Sequence, residues 1–139
     1  MSKIKLEVVT VEKLVYSEDV DEVVAPGTEG ELGILPHHAP LITMLDPGVL
    51  IIKTGGQDVE MALSGGYMEV RPDRIIVLAD SAERAEEIDV TRAEAARQRA
   101  EKTMAEAPSA EVSLAAEAAL KRSLARLKVA RRRRHEKPV

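Results

Sequence analysis

The sequence lacks cysteine, phenylalanine and tryptophan altogether, and its only aromatic residues are Tyr16 and Tyr67. Without cysteine the chain forms no disulfide, iron–sulfur cluster or thiolate zinc site and offers no thiol nucleophile, which suits a reducing cytoplasm. With so few aromatic rings it also lacks the stacking platforms that proteins use to bind single-stranded nucleic acid. We therefore expect neither thiol chemistry nor a nucleic-acid partner.

Long apolar runs are also missing. The longest, such as residues 49–52 and 75–79, are far shorter than the roughly 20 residues that a membrane-spanning helix requires. Residues 1–10 have neither a basic start nor a long apolar stretch, so we expect no signal peptide and no direct insertion into a membrane. A chain of 139 residues, 45% hydrophobic and 32% charged, is predicted to form one globular domain, or one small domain with an appendage.

The composition changes near residue 80. All eight glycines lie between Gly27 and Gly66, whereas fifteen of the nineteen alanines lie at or after Ala82. Residues 1–80 hold 6 basic and 14 acidic side chains, and residues 81–139 hold 14 and 10. This division predicts two different architectures in one chain.

Residues 1–87 have the period and the turn residues of short strands. Apolar and charged residues alternate over residues 4–8, and Gly55-Gly56 and Pro72-Asp73 each lie between apolar runs. These dipeptides predict hairpin turns. Several short strands in about 80 residues predict an antiparallel β-sandwich.

The runs at residues 49–52 and 75–79 are unusual for such a sandwich. A strand with one wet face alternates apolar and polar residues, and these two runs do not. We therefore expect another layer or partner to cover their second face.

Residues 88–139 are predicted to form a two-helix hairpin. Asp89 is a good N-cap for the first helix, Pro108 interrupts the pattern, and Ser109 can cap a second helix that runs to about Arg134. The inner faces are rich in alanine, which buries few carbons, so we expect a weak seam. The seam residues are expected to be Ala93, Ala96, Ala100, Thr103 and Ala107 on the first helix and Ala116, Leu120, Leu124 and Leu127 on the second.

The sequence offers no catalytic constellation. Its serines show no nucleophile-elbow pattern, the adjacent His37 and His38 would point to opposite sides of an extended segment, and no glycine-rich loop ends in Gly-Lys-Ser/Thr. We therefore predict a protein that is not an enzyme and that has no catalytic cofactor.

Arginines are the more informative set. Arg92 and Arg99 share a face of the first predicted helix, and Arg122 and Arg126 share a face of the second. A folded hairpin could bring both pairs around one cleft, where guanidinium groups would suit the oxygens of a polyphosphate. The alternative is that these arginines pair with neighbouring acids on solvated faces, such as Glu94, Glu101 and Glu117.

The basic run Arg131–Arg134 has three interpretations: a solvated tail, a nucleic-acid patch, or a contact for an acidic protein surface. Because no aromatic residue lies nearby, nucleic acid is the least favoured of the three.

One segment resembles a known family. Residues 30–41 read GELGILPHHAPL, which is similar to the signature of the epsilon subunit of bacterial F-type ATP synthase. Further similar stretches lie at residues 46–48, 63–70 and 77–80, and the alanine-rich hairpin completes the pattern, so the resemblance covers the whole chain.

The resemblance implies a β-sandwich followed by two helices, the order predicted above. It also implies a role in the rotor, in which the sandwich binds beside the gamma subunit and the ring of c subunits. The C-terminal helices would either fold onto the sandwich or extend towards the catalytic alpha/beta head. The complex would lie at the cytoplasmic face of the bacterial cell membrane, with this subunit attached peripherally.

Some members of the family bind ATP through an Ile/Leu-Asp-x-x-Arg-Ala motif, and residues 88–93 read IDVTRA. The resemblance therefore implies ATP as a regulatory ligand, bound by Ile88, Asp89, Arg92, Ala93, Arg99, Arg122 and Arg126. His37 stands where many members have glycine, and the tail at Arg131–Arg134 is more basic than the family leads us to expect.

We therefore interpret the chain as a non-catalytic rotor subunit that couples proton transport to ATP synthesis and restrains ATP hydrolysis. The alternative is a free-standing nucleotide-sensing adaptor whose basic tail binds an acidic protein partner.

Overall fold

The computed structural model describes residues 2–136, with side chains as far as residue 132. Over these residues the chain forms ten strands, a 3-10 turn and two helices. The strands are β1 (Ile4–Val9), β2 (Leu14–Val20), β3 (Glu22–Gly27), β4 (Gly30–Ile34), β5 (Leu41–Leu45), β6 (Gly48–Thr54), β7 (Gln57–Leu63), β8 (Gly66–Val70), β9 (Arg74–Ala79) and β10 (Ala82–Arg84). The 3-10 turn Ala85–Glu87 leads to the helices α1 (Val90–Ala105) and α2 (Ala110–Glu136).

The strands form two packed layers, as the sequence predicts. One layer has the order β10-β7-β6-β3 with β4 beside β3, and the other has the order β5-β8-β9-β1-β2. The layers are joined where β3 meets β5, at the pair Gly27 and Leu45. Large buried side chains, including Leu6, Leu50 and Met68, fill the space between the layers.

The prediction of an antiparallel sandwich holds for most of the described sheet but not for its first strand. β1 is antiparallel to β2 and parallel to β9, with Leu6 opposite Ile75 and Val8 opposite Val77. The β1–β9 pairing joins residues about 70 positions apart along the chain, so no local sequence pattern indicates it.

Both predicted hairpin turns are confirmed. Gly55 and Gly56 have φ angles of 58° and 77° in the turn between β6 and β7, as a two-residue hairpin turn of this kind requires. Pro72-Asp73 lies in the turn between β8 and β9. A further glycine is fixed by close approach, since a Cβ at Gly66 would lie 2.1 Å from the carbonyl oxygen of Leu78.

Both predicted helix starts are confirmed as well. The Asp89 side chain accepts a hydrogen bond of 3.1 Å from the backbone N–H of Arg92, and the Ser109 hydroxyl accepts one of 3.2 Å from the N–H of Val112. These caps satisfy amide groups that a helix cannot pair internally.

The seam between α1 and α2 is thinner than the predicted set of residues implies. Ala93, Ala100, Ala116 and Leu127 are buried, whereas Thr103 is exposed. Leu124 is also exposed, with 48% of its surface in solvent. The prediction that Leu124 belongs to the seam was wrong. Helix α2 packs against two surfaces, α1 and the sandwich, and Leu124 is not buried by either of them.

Helix α2 covers the outer face of the layer that contains β6, β7 and β10. Ala125, Val129 and Ala130 of α2 pack in a cluster with Ala62 of β7, with Val49 of β6 packed against it. This contact supplies the second layer predicted for the run at residues 49–52. The run at 75–79 has no such cover among the described residues, and its Leu78 is more than half exposed.

Candidate functional site

A cleft between α2 and the sandwich holds two of the predicted site arginines. Its cavity has a volume of about 470 Å³. The helix contributes Ala119, Arg122, Ser123 and Arg126, and the sandwich contributes Ala62, Leu63, Ser64, Asp80, Ser81 and Glu83.

The cleft is cationic on its helical side and acidic on its sandwich side. Nε of Arg126 lies 2.9 Å from Oε1 of Glu83, and its Nη2 lies 3.2 Å from Oε2. Arg122 lines the same cavity and is exposed. An anionic ligand would therefore meet an exposed guanidinium at Arg122 and would compete with Glu83 for the one at Arg126.

The other two predicted arginines do not line this cavity. Arg92 and Arg99 are exposed on α1, and each directly precedes a buried alanine of the seam, Ala93 or Ala100. Each lies about 100° around the helix from its alanine. The structure therefore brings Arg122 and Arg126 together in one cavity. Arg92 and Arg99 lie outside that cavity.

The acids proposed as alternative partners of these arginines bind other cations. Arg97 donates hydrogen bonds to Glu94 and Glu101 on α1, and Lys121 lies 3.9 Å from Glu117 on α2. The bond from Arg97 holds the pKa of Glu94 below its usual range, and the same bond raises the pKa of Arg97. Glu94, Glu101 and Glu117 are therefore not the partners of the four site arginines, of which Arg126 pairs with Glu83 and the other three are exposed.

The remaining predicted site residues have structural roles in the folded hairpin. Ile88 packs in the apolar cluster with Ala125 and Val129, Asp89 caps α1, and Ala93 is fully buried. The motif at residues 88–93 therefore also specifies the start of α1: Asp89 is its N-cap, and Ile88 and Ala93 are the apolar positions on either side.

The basic tail is described only in part. Arg131 is exposed, and Nη1 of Arg132 lies 2.8 Å from Oε1 of Glu60 on β7. The side chains of Arg133 and Arg134 lie outside the described residues, so the predicted contact of the run with an acidic surface stays a prediction.

The structure also has an apolar surface that the sequence pattern did not predict as a whole. On the outer face of the second layer, Met44 lies opposite Tyr67, Tyr67 opposite Leu78, Leu78 opposite Val9, and Val9 opposite Leu14. Direct cross-strand neighbours share a face, so these side chains form one row across all five strands. We call them, with Ile42 of the same face of β5, the apolar face.

The apolar face is open to solvent in the described chain. Leu14, Ile42, Met44, Tyr67 and Leu78 are each more than half exposed. A contiguous exposed patch of this kind marks a surface that binds a partner. The signal in the sequence was the unbroken run at residues 75–79, but the residues opposite it come from four other strands.

Among the residues that the structure describes, neither helix is long and apolar enough to cross a membrane. The described His, Asp and Glu side chains form no group of three or more that could hold a metal ion.

Comparisons with known proteins agree over the whole chain. Residues 3–85 match the family model of the ATP synthase delta/epsilon chain β-sandwich domain, and residues 86–131 match that of its long α-helix domain. The ATP synthase epsilon chains of two strains of Dehalococcoides mccartyi are 55% identical over 141 aligned positions that cover 100% of each chain. The epsilon chain of Herpetosiphon aurantiacus is 53% identical and covers 95% of this chain and 97% of its own.

Solved structures give the same result. A chain in the cryo-EM structure of the Euglena gracilis mitochondrial ATP synthase, OSCP/F1/c-ring, matches with a TM-score of 0.79 and 26% identity, over 94% of this chain and 82% of that one. A chain of the Tetrahymena thermophila mitochondrial ATP synthase central stalk and c-ring shares the fold, with a TM-score of 0.54, 16% identity, and 95% and 96% of the two chains covered. With a full-length sequence match, both domain models and the fold in agreement, the chain belongs to the epsilon-chain family of ATP synthases.

Proposed function

We propose that the apolar face is the surface through which this epsilon chain docks on the gamma subunit of the central stalk, beside the c-ring. An epsilon chain is a stalk subunit, so the protein is a non-catalytic part of the ATP synthase complex. The observation that carries the proposal is the row of exposed apolar neighbours across five strands. The related Euglena chain comes from an assembly that includes F1 and the c-ring, which supports this position.

Membership in this family supports the stalk subunit over a free-standing nucleotide-sensing adaptor. In the proposed arrangement, residues 1–87 dock and residues 88–139 regulate. The complex lies at the cytoplasmic face of the bacterial membrane and couples proton transport to ATP synthesis.

A charge placed in the apolar face tests the docking proposal. We expect Leu78→Glu to abolish or strongly weaken the complex with the gamma subunit, because a carboxylate in an apolar contact loses its hydration. Leu114→Glu is the matched control, since Leu114 is an exposed apolar residue of α2. Size-exclusion chromatography of the mixed subunits measures the complex. Equal binding by the two variants would contradict the proposal.

We further propose that ATP binds as a regulatory ligand on the folded hairpin, with its phosphates at Arg122 and Arg126. The open cationic side of the cleft supports this placement. Arg92 and Arg99 are exposed on α1, outside this cavity, and Ile88, Asp89 and Ala93 fix the start of that helix. The motif at residues 88–93 supports ATP over other anions.

Calorimetry with ATP tests the nucleotide site. A hydrogen bond to a charged group contributes roughly 1.5 to 3 kcal/mol, so we expect Arg122→Ala or Arg126→Ala to weaken binding by about tenfold or more. Arg71→Ala is the control, because Arg71 pairs with Glu69 on the sandwich, away from α2. If the three variants and the original chain bind ATP with the same affinity, the phosphates do not lie at these arginines.

The hairpin is also proposed to restrain ATP hydrolysis by extending α2 towards the catalytic alpha/beta head. ATP would favour the folded form, since a ligand that binds one form stabilises it by about 2.7 kcal/mol at a hundred times its Kd. The test compares hydrolysis at low ATP by complexes that contain the full chain or a chain ending at Glu106. Equal rates would show that the helix is not an inhibitory arm.

A further inference from the structure

The contact of α2 with the sandwich and with the segment before α1 is made mostly by small side chains. Ala125, Val129 and Ala130 pack with Ala62 and Ile88, and Val49, Ala85 and Val90 lie beside them. Ile88 is the one large side chain among the buried members of this cluster, and alanine gains much less free energy on burial than leucine or isoleucine. The cavity of about 470 Å³ between the same two surfaces shows that they are not packed along their whole length. Apolar contact alone therefore holds α2 weakly.

Opposite charges meet around this thin contact. Among the side chains described, those up to residue 132, three cations of α2 pair with acids of the sandwich. The pairs join Lys121 to Asp46 at 3.2 Å, Arg126 to Glu83 at 2.9 Å and Arg132 to Glu60 at 2.8 Å. We call these pairs the ionic clasp.

The ionic clasp meets the apolar strip of α2 both at its edge and within it. With about 100° of rotation per residue, Lys121 and Arg132 fall together at one edge of the strip, beside Ala125. Arg126 falls between Val129 and Ala130, within the strip. The pairs therefore hold α2 at two different angles around its axis.

The acids of the ionic clasp belong to separate parts of the sandwich. Glu60 and Glu83 lie on the outer face of β7 and β10, and Asp46 lies in the turn between β5 and β6. The side chains of Asp46 and Lys121 are 37% and 45% exposed, so solvent and salt reach that pair most easily, and exposed ion pairs are individually weak and are screened by salt. The side chains of Glu83 and Glu60 are only 25% and 13% exposed, so salt screens their pairs less.

We propose that the ionic clasp is the latch of the hairpin, so that the folded form opens when salt screens these pairs or when an acidic protein surface competes for the same cations. In the folded form, Asp46, Glu60 and Glu83 compete with that acidic surface for the cations Lys121, Arg126 and Arg132. The identity of the surface that the released helix binds rests on the proposed function. The role of the three ion pairs as a latch does not. Its test therefore uses the full-length chain alone, without ATP and without gamma.

The absence of cysteine makes opening directly measurable. The substitutions Glu29→Cys on the sandwich and Lys128→Cys on α2 give two labelling sites, both exposed and outside the ionic clasp. Single-molecule energy transfer between dyes at these sites reports the closed and open populations. As NaCl rises from about 0.05 M to 1 M, the Debye length falls from more than 10 Å to about 3 Å, and we expect the closed population to fall with it.

A triple variant removes the acids of the latch. In Asp46→Asn/Glu60→Gln/Glu83→Gln we expect the ratio of closed to open molecules at low salt to be about tenfold lower, and its dependence on salt to be largely lost. The control Glu12→Gln/Asp19→Asn/Glu31→Gln changes the net charge by the same amount at exposed positions and should behave as the original chain. A triple variant that stays closed at low salt, or an original chain whose closed population ignores salt, would overturn the proposal.

A charge swap separates loss of the latch from loss of fold. Lys121→Glu should open the hairpin by placing a second acid beside Asp46. Adding Asp46→Lys should close it again, because the swapped pair restores the attraction. An unfolded variant cannot be rescued in this way, so rescue supports the latch and failure of rescue contradicts it.

Discussion

Asp21 accepts a hydrogen bond of 2.9 Å from the backbone N–H of Gly55, thirty-four residues further along the chain. The bond joins the corner between β2 and β3 to the turn between β6 and β7. Together with Lys3, whose Nζ lies 3.2 Å from the carboxylate, it lowers the pKa of Asp21 below the ordinary value of 3.8. A carboxyl with a lowered pKa stabilises the folded state above its unfolded pKa, and this contribution is lost as the pH falls through the folded value.

We therefore expect Asp21→Asn to lower the Tm at neutral pH, since the amide keeps an acceptor for Gly55 but loses the charge. The difference from the original chain should narrow as the pH falls below 3.8. Thermal unfolding followed by circular dichroism over this range measures it. Asp19→Asn, at an exposed neighbouring position of β2, should show a smaller effect. A Tm difference that stays constant down to the acid end would contradict the assignment.

Gly66→Ala is expected to destabilise the sandwich strongly. The new Cβ would lie 2.1 Å from the carbonyl oxygen of Leu78, and the backbone there has a φ of 149°. Because backbone rather than a flexible side chain must move, we expect a loss of at least about 2 kcal/mol in the free energy of unfolding. Gly33→Ala is the control, since its Cβ would meet only the far end of the Glu22 side chain. Urea denaturation compares the two, and equal losses would show that the close approach is unimportant.

The cap of α1 can be separated from its charge. Asp89→Ala removes the acceptor for the N–H of Arg92 and should cost about 1 kcal/mol in the stability of the helix. Asp89→Asn should cost much less, because asparagine is an equally good N-cap. Hydrogen exchange of the amides in the first turns of α1 measures both. If asparagine exchanges as fast as alanine, the carboxylate charge rather than the hydrogen bond stabilises this end.

Two leucines of α2 should respond very differently to truncation. Leu127 is 2% exposed in the seam with α1, and Leu124 is 48% exposed. We expect Leu127→Ala to destabilise the hairpin by about 2 to 5 kcal/mol and Leu124→Ala to change its stability by less than about 0.5 kcal/mol. Hydrogen exchange over α2 distinguishes them. A large effect at Leu124 would indicate that the helix turns another face to its partners.

Local chemistry made the turns and helix starts predictable. Gly55-Gly56 specifies a hairpin whatever surrounds it, and Asp89 and Ser109 specify caps through groups a few residues away. The spacing of Ala116, Leu120, Leu124 and Leu127 in α2 was less informative, because α2 contacts both α1 and the sandwich. One periodic stripe does not indicate which of two surfaces it faces, and Leu124 was misplaced for that reason.

In the candidate sites too, contacts between residues close in the chain were predictable and contacts between distant residues were not. Arg122 and Arg126 were predicted together because they lie one turn apart on one helix. The pair of Arg126 with Glu83 and the apolar face both join residues that are distant in the chain. Tyr67 and Leu78 become neighbours only through strand register, which is fixed by the whole layer. Sequence spacing therefore identified the helical half of the cleft and missed the acids opposite it.

The parallel pairing of β1 with β9 has a consequence for synthesis of the chain. The ribosome makes β1 first, but the backbone groups on its inner edge find their strand partner only after Arg74–Ala79 has been made. Until then the nascent layer carries an open edge, which is a template for pairing with another chain. The charged side chains of Lys5 and Glu7, which alternate with the core residues of β1, discourage such pairing during that interval.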